Sequence, residues 1–243
     1  MAVGSKPDLP GSAETLKAIV MEKIIQNFFN VQIIQAAFPF LLKGFGMTAL
    51  LVLTIVPLGV TGGLAVALLS TSKKRFVKWL VVIYTDFFRA FPPLVLLIFI
   101  YFGIPFLGID LPAFVSVAIG FLLNTSSYYG EIFRAGIESI PRGQFEAARS
   151  TGLSSIQTMA YVVIPQATRN VIPDLISNTL EVVKLTSIAS VVALPELLYA
   201  ARQAQSITYN ATPIMAAGII YLICLWPIVR LLSRFEHKTI SLH

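Results

Sequence analysis

Residues 146–165 read EAARSTGLSSIQTMAYVVIP and form a basic, small-residue segment between two long hydrophobic regions. Glu146 to Arg149 are good helix formers, and Gly152 is a residue type that commonly ends a helix. Pro165 is expected to start or kink the following helix. The segment therefore predicts a helix, a turn and a second helix. Its two adjacent alanines leave one flank of the first helix free of bulk, which suits contact with another protein.

The composition is that of an integral membrane protein. Of the 243 residues, 56% are hydrophobic and 12% are charged, with a mean hydropathy of +0.79, whereas soluble domains carry about 25% charged residues. Four uncharged runs each exceed the ~18 residues needed to span a bilayer as a helix; they are 44–72, 90–109, 111–130 and 203–229. A further apolar stretch, 171–198, is interrupted by Glu181 and Lys184. We therefore expect an all-α protein with five transmembrane helices.

Lysine and arginine predict the orientation, because cytoplasmic loops carry an excess of them. Eleven fall after the first span, after the third span and in the tail: Lys73, Lys74, Arg75, Lys78, Arg134, Arg142, Arg149, Arg169, Arg230, Arg234 and Lys238. Five fall on the other side: Lys6, Lys17, Lys23, Lys43 and Arg202. We expect the N-terminus outside and the C-terminus inside. This bias also explains the net charge of +6 without a nucleic-acid partner.

The chain divides into four regions by composition. Residues 1–12 are rich in Ser, Gly and Pro and are expected to be disordered. Residues 13–42 carry apolar side chains at helical spacing among charged and amide residues, which favours a helix on the outer interface. The transmembrane domain is expected over 43–236, with the loop at 139–165, and a cytoplasmic tail over 237–243. Within the domain, glycines at 59 and 63 predict close helix packing, and Pro92 and Pro93 predict a kink.

The spacing across 146–165 resembles the EAA loop of the membrane-spanning subunits of ABC importers. Its matching positions are Glu146, Ala147, Ala148, Gly152, Ile164 and Pro165, and Val162 conservatively replaces the first Ile of the family pattern. Over about residues 38–236 the chain resembles the polar amino acid permeases of these importers, the histidine, glutamine, arginine and opine type. The matching blocks are PFLLKG at 39–44 followed by Thr48, FFRAFPPL at 87–94, YYGEIFRAGIESIPRGQFEAARSTGL at 128–153, KLTSIAS at 184–190 and PELL at 195–198.

The resemblance implies the transmembrane-domain fold of a type I ABC importer in the bacterial cytoplasmic (inner) membrane. It implies a second permease subunit about a twofold axis, a cytoplasmic ATPase dimer that holds ATP and Mg, and a soluble binding protein that delivers an amino acid from outside. The residues that would couple this chain to the ATPase are Glu146, Ala147, Ala148, Arg149, Ser150, Thr151, Gly152, Leu153 and Ser154.

Glu181 and Lys184 are the candidate groups for the translocation pathway. At ~1.5 Å per residue they lie near the midplane of the fourth span, where ionisable groups usually face a cavity or a partner. Being three residues apart, they share a helix face. One hypothesis has Lys184 facing a substrate carboxylate and Glu181 a substrate ammonium; the alternative is an ion pair that holds the span in register. Four further candidates for the pathway are Asn124, Tyr128, Thr186 and Ser187.

Asp86 and Arg89 repeat this spacing near the start of the second span, where we expect an intersubunit or intrahelical ion pair at an inner gate. The inner half of the third span is also polar. Its polar residues are Asn124, Thr125, Ser126, Ser127, Tyr128 and Glu131. They either face water in an open cavity or bond to neighbouring helices, and the sequence leaves both possibilities open.

Residues suited to catalysis are lacking. Gly-Lys-Ser and Gly-Lys-Thr do not occur after a glycine-rich stretch, so we expect no P-loop, no enzyme activity and no cofactor in this subunit. His237 and His243 lie in the tail and predict no metal site, and Cys224 is the single cysteine.

Two alternative functions stay open. One is an ABC importer permease for an opine or another amino acid derivative, because Leu185 follows Lys184 where the family usually has Asp. The other is an autonomous secondary carrier, which inverted repeats would indicate; we find none, and it would leave residues 146–165 unexplained. Whether the second permease is the same chain or a related one is also open.

Overall fold

The computed structural model describes residues 13–240, with the side chains of residues 15–230. Eleven α-helices follow one another along this part of the chain: α1 Ala13–Phe28, α2 Val31–Ser70, α3 Arg75–Ala90, α4 Pro93–Ile98, α5 Ala113–Glu138, α6 Arg142–Ser150, α7 Ser155–Thr158, α8 Ile164–Asn170, α9 Ile172–Leu185, α10 Leu197–Thr208 and α11 Thr212–Ile240. Wider π-helical turns occupy Phe99–Gly103 and Met159–Val163, and tighter 3-10 turns occupy Ile104–Leu107 and Thr186–Val192. The expected disorder of residues 1–12 lies outside the described residues.

The all-α prediction is confirmed for the described residues. Three helical stretches there are long and apolar enough to cross a membrane: Thr15–Ser70, Ile172–Val192 and Thr212–Arg230. The pair Arg75–Ala90 and Pro93–Leu107, bent by 99°, makes a fourth if it is one broken span.

Close packing of α2 against α5 forms the centre of the fold. A Cβ atom built on Gly63 would lie 2.4 Å from Cβ of Tyr129 and 2.8 Å from the backbone nitrogen of Gly130. A Cβ atom on Gly59 would lie 2.5 Å from Oγ1 of Thr125. The predicted close helix contact at these glycines is therefore confirmed. At Gly63 the α2 backbone lies directly against the backbone of α5, and at Gly59 it lies against the Thr125 side chain.

The break between α3 and α4 falls at the predicted proline pair. Proline lacks a backbone N–H, so Pro92 leaves the Phe88 carbonyl without its helical donor, and Pro93 does the same for Arg89. Side chains of α5 replace both donors. Asn124 Nδ2 donates to the Phe88 carbonyl at 2.9 Å, and Tyr128 Oη donates to the Arg89 carbonyl at 3.3 Å. The two helices therefore stabilise the break together.

The two spans expected in the second half of the chain are present but shorter than expected, at Ile172–Val192 and Thr212–Arg230. The stretch expected to be helical over 171–198 forms α9 and then a 3-10 turn that ends at Val192. The uncharged run 203–229 is divided between α10 and α11, because Tyr209 has a positive φ of 49° and the Asn210 side chain accepts from the Thr212 N–H at 2.9 Å. The absence of charged residues in this run did not indicate that a new helix begins at Thr212.

Two expected region boundaries do not coincide with breaks in the fold. Position 42/43 lies inside α2, and position 236/237 lies inside α11. The end of α1 is instead tied to the start of α11, because the Asn210 side chain donates to the Gln26 carbonyl at 2.9 Å and the Ala211 N–H donates to the Asn27 carbonyl at 3.1 Å. An interfacial position for residues 13–42 stays a prediction.

Candidate functional site

The helix–turn–helix predicted after α5 is present. α6 ends at Ser150, and Gly152 follows with a φ of +85°, a left-handed conformation that favours glycine. Ser154 then caps α7. Its Oγ accepts from the Gln157 N–H at 3.3 Å, and Oε1 of Gln157 accepts from the Ser154 N–H at 2.9 Å. This capping box sets where the second helix begins. Pro165 lies in the first turn of α8, as predicted.

One side of α6 is fixed to the protein. Phe145 packs against the main hydrophobic core, and Ala148 is 6% exposed. Across the turn, the Arg149 guanidinium donates to the hydroxyl of Ser155, and Thr151 Oγ1 donates to the Ala148 carbonyl at 2.8 Å. These contacts make the loop a compact unit with a defined shape.

The other side of α6 and its turn is open. The exposed predicted coupling residues are Glu146, Ala147, Arg149, Ser150, Thr151, Gly152 and Ser154, and Leu153 is half-buried. The flank free of bulk is therefore presented by Ala147, since Ala148 faces inward. Ile156 and Tyr161 are 82% and 73% exposed beside the loop. Sequence reasoning did not single out these two apolar side chains, although both lie within the quoted segment.

The loop closes back on α5. Asn170 Nδ2 donates to the Ser139 hydroxyl at 2.9 Å, and Gln166 Nε2 donates to Oε1 of Gln144 at 3.4 Å. Through these two bonds α8 contacts both α6 and the C-terminal end of α5.

Glu181 and Lys184 lie on an open face of α9. The Lys184 ammonium donates to the Glu181 carboxylate. The Lys184 side chain is 52% exposed and the Glu181 side chain is 63% exposed. Beside them is a cavity of about 230 Å³ whose lining is Pro93, Asn124, Thr125, Tyr128, Asn178, Glu181, Val182 and Leu185. The expected shared face and ion pair are therefore present. A contact with substrate stays a prediction.

A second cavity continues this face. It has a volume of about 500 Å³ and is lined in part by Glu131, Asp174, Asn178 and Glu181, two of which also line the first cavity. Sequence reasoning did not select Asp174 or Asn178. The signal was available, because residues 174, 178 and 181 have the i, i+4, i+7 spacing of one helix face.

Thr186 and Ser187 differ from expectation. Thr186 is fully buried and donates from Oγ1 to the Val183 carbonyl at 2.7 Å, so it does not line the open face. Ser187 is half-buried and donates to the Lys184 carbonyl at 2.8 Å. The cause is the change from α-helix to the tighter 3-10 turn at residue 186, which shifts the side-chain directions.

The polar residues in the middle of α5 are mostly bonded to other groups of the protein. Residues 124 to 127 are buried. Ser126 Oγ lies 2.7 Å from the Tyr84 hydroxyl, Ser127 donates to the Asn124 carbonyl at 2.6 Å, and Thr125 donates within α5. Tyr128 is 37% exposed. Bonding to neighbours thus accounts for the four buried positions, whereas Tyr128 reaches the open face.

Arg89 pairs across helices. Its Nη1 lies 3.6 Å from Oε2 of Glu131, and its guanidinium lies 5.6 Å from the centre of the Tyr128 ring. The intrahelical pair expected between Asp86 and Arg89 is not formed, because Glu131, which also binds Arg134 at 2.7 Å, provides the nearer carboxylate. Asp86 is exposed. An intersubunit pair stays a prediction.

A buried carboxylate caps the start of α10. Glu196 is 0% exposed and accepts from two backbone N–H groups in the first turn of α10, at 2.7 and 2.8 Å, and from the Tyr221 hydroxyl at 3.3 Å. The adjacent Leu197 N–H donates to Oγ1 of Thr48 at 3.1 Å. This cluster fastens α10 to α2 and α11. Among the described residues, no group of three His, Cys, Asp or Glu side chains is placed to hold a metal ion.

Comparison with known proteins agrees with this arrangement of a broken apolar bundle and an open helical loop. Residues 59–241 match the family described as "Binding-protein-dependent transport system inner membrane component". The chain belongs to this family. The family is that of permease subunits of ABC transporters, and its members are not the catalytic subunits.

The relatives of this inner membrane component are permeases. It is 37% identical over 201 residues to the probable amino-acid ABC transporter permease protein YckA of Bacillus subtilis, covering 82% of this chain and 89% of that protein. It is 34% identical over 185 residues to the arginine transport system permease protein ArtQ of Bacillus subtilis, covering 75% of this chain and 84% of that protein.

Solved structures share the fold. A crystal structure of an amino acid ABC transporter with histidines has a TM-score of 0.74 and 36% identity, covering 83% of this inner membrane component and 94% of that chain. The MetNI methionine ABC transporter in an inward-facing conformation has a TM-score of 0.69, covering 83% of this chain and 96% of that chain. Its sequence identity of 19% indicates the fold alone.

Proposed function

We propose that this chain forms, with a second permease subunit of the same or a related sequence, the translocation pathway of an ATP-driven amino acid importer. The observation that carries the proposal is the compact loop at 142–158. It is fixed on its Ala148 side and open on its Ala147 side. Such a loop suits docking into a cleft of another protein, which in this family would be an ATPase subunit.

The membrane arrangement proposed is five spans with the N-terminus outside and the C-terminus in the cytoplasm. The first span is the C-terminal part of the helical stretch Thr15–Ser70, from about residue 44. The second is the bent pair Arg75–Ala90 and Pro93–Leu107, and the fourth and fifth are Ile172–Val192 and Thr212–Arg230. The third span is α5, whose polar residues are largely bonded within the protein and therefore need not face lipid. A bacterial cytoplasmic membrane is the proposed location.

The proposed mechanism is alternating access. ATP and Mg bind to a separate ATPase pair, whose closure moves the α6 loops. Gln166 of α8 bonds Gln144 of α6, and Asn170 of α8 bonds Ser139 at the end of α5. The movement therefore passes from α6 through α8 to α5, which borders the open face. The pathway then opens outward to a binding protein, and ATP hydrolysis resets it inward.

The substrate proposed is an amino acid or a close derivative, in keeping with the named relatives. In this account the carboxylate of the substrate is attracted by Lys184 and its ammonium by Glu181, next to the cavity bordered by Asn124 and Tyr128. The ion pair between the two residues would open as the substrate enters.

The test is purification of the full chain from its native membrane in mild detergent, with mass spectrometry of the proteins that stay bound. A stoichiometric ATPase subunit supports the proposal, and the presence or absence of a second permease decides between a heteromeric and a homomeric pore. A preparation that reproducibly lacks an ATPase would favour an autonomous carrier instead.

A further inference from the structure

A long apolar groove lies between α2 and α3, away from the face that carries Glu181. Its volume is about 720 Å³. Its walls include Val66 and Leu69 of α2 and Val77, Leu80, Ile83 and Phe87 of α3. The one hydroxyl at the groove, that of Tyr84, is directed to α5, where it bonds the Leu123 carbonyl at 3.1 Å.

Basic side chains are concentrated at one end of the groove. Leu69 and Val77 line that end, and the turn that joins them contains Lys73, Lys74 and Arg75, all exposed. In the described part of the chain these three cations take part in none of the ion pairs. An anionic group bound above the groove would therefore not compete with a carboxylate of this chain.

The dimensions of the groove match one leaflet of a bilayer. From Val77 to Phe87 the helix rises about 15 Å, at 1.5 Å per residue, which is half of the ~30 Å hydrocarbon core. Trp79 and Phe76, next to the basic turn, are 61% and 69% exposed. Tryptophan is enriched at the level of the lipid headgroups, which places the basic turn at the headgroups and the groove among the acyl chains.

We propose that this groove is a binding site for an anionic diacyl phospholipid. The phosphate is held by Lys73, Lys74 and Arg75, and an acyl chain lies between α2 and α3. Basic clusters directly outside a transmembrane helix attract acidic lipids. The leaflet, which is the cytoplasmic one, follows from the proposed orientation; the site itself follows from the groove and its charges.

In the experiment, the full chain is purified with the subunits that remain bound to it. It is then mixed with micelles that contain equal amounts of phosphatidylglycerol and phosphatidylcholine. The lipid that stays bound is measured by native mass spectrometry. We expect the wild type to retain phosphatidylglycerol preferentially. The triple variant Lys73→Gln, Lys74→Gln, Arg75→Gln should lose this preference by about tenfold or more. The matched control Lys17→Gln, Lys23→Gln, Lys43→Gln removes the same charge elsewhere and should behave as the wild type.

A second pair of variants tests the groove without changing charge. Leu80→Trp places a bulky side chain in the groove and should lower phosphatidylglycerol retention, whereas Leu222→Trp, at a position 62% exposed on α11, should not. Equal retention in the triple glutamine variant and its control would overturn the proposal. A crosslink from Ile83→Cys, in a Cys224→Ser background, to a partner protein and not to lipid would also overturn it.

Discussion

Asn124 on α5 donates a hydrogen bond from Nδ2 to the carbonyl of Phe88 on α3, over 2.9 Å. This carbonyl is the one that Pro92 leaves without a helical donor. The amide thus compensates, from a different helix, for the break that turns the chain by 99° between α3 and α4. The residue expected on the pathway therefore also stabilises the bend beside it.

Asn124→Leu should destabilise the protein by about 1–3 kcal/mol, because the partly buried Phe88 carbonyl loses its donor while the side-chain volume is nearly kept. Thermal unfolding in detergent measures the effect. Ser127→Ala is the control, since Ser127 is equally buried but bonds only within α5. Equal losses of stability in the two variants would contradict the role assigned to Asn124.

Gly63→Ala should be among the most damaging small substitutions on α2. The added Cβ meets Tyr129 at 2.4 Å and the backbone of Gly130 at 2.8 Å, so the helices must separate, at a cost of about 1–3 kcal/mol or more. Gly46→Ala, on the same helix, meets no atom within 4 Å and should stabilise by up to about 1 kcal/mol. A melting temperature unchanged by Gly63→Ala would refute the packing argument.

Local sequence rules predicted the elements whose cause is local. The proline pair predicted the break, and Gly152 and Pro165 predicted the limits of the loop helices. Pairings across the chain were not predictable in this way. Arg89 was matched with Asp86 by spacing, yet it pairs with Glu131, because α3 and α5 lie side by side and Glu131 is 42 positions further along. Spacing on one helix contains no information about a neighbouring helix.

The burial of Thr186 and Glu196 was also not predictable from the sequence. Thr186 lies in the KLTSIAS block near two exposed charges, but the 3-10 turn directs it inward. Glu196 carries a carboxylate that patterning would assign to the surface, yet the backbone N–H groups of α10 and the Tyr221 hydroxyl surround it. Both outcomes depend on where the helix ends, which charge and hydropathy do not specify.

Exchanging the positions of the acidic and basic residues on α9 distinguishes contact with substrate from a purely structural ion pair. The double variant Glu181→Lys, Lys184→Glu keeps a pair on the same face. If the pair only holds the helix in register, amino acid uptake into cells should be near the wild-type rate. Contact with substrate predicts instead a loss of about tenfold or more, comparable with that of Glu181→Gln alone.

The control for these uptake measurements is Glu138→Gln. Glu138 binds Arg134 at 2.7 Å through another exposed helical pair, away from the cavities shared by Asn178 and Glu181. It should transport normally at normal expression. Normal uptake in both Glu181→Gln and Lys184→Met would remove the pathway role of the α9 pair.

Gly152→Val should separate ATP hydrolysis from uptake. Its φ of +85° costs a β-branched residue about 1–2 kcal/mol, so the turn between α6 and α7 changes shape. The ratio of amino acid transported to ATP hydrolysed, measured in the reconstituted importer, should fall severalfold. Gly143→Val is the matched control, since neither glycine has an atom within 4 Å of an added Cβ, and only Gly152 has a positive φ. An unchanged ratio in Gly152→Val would count against the loop as the coupling element.

The central claim, that the open side of α6 docks onto an ATPase, is tested most directly by crosslinking. Ala147→Cys and Ser206→Cys, each exposed and each in a Cys224→Ser background, are treated with a short bifunctional reagent in native membranes, and the adducts are identified by mass spectrometry. The account predicts an adduct with an ATPase subunit from position 147 and none from position 206. Normal expression with no ATPase adduct at position 147 would contradict it.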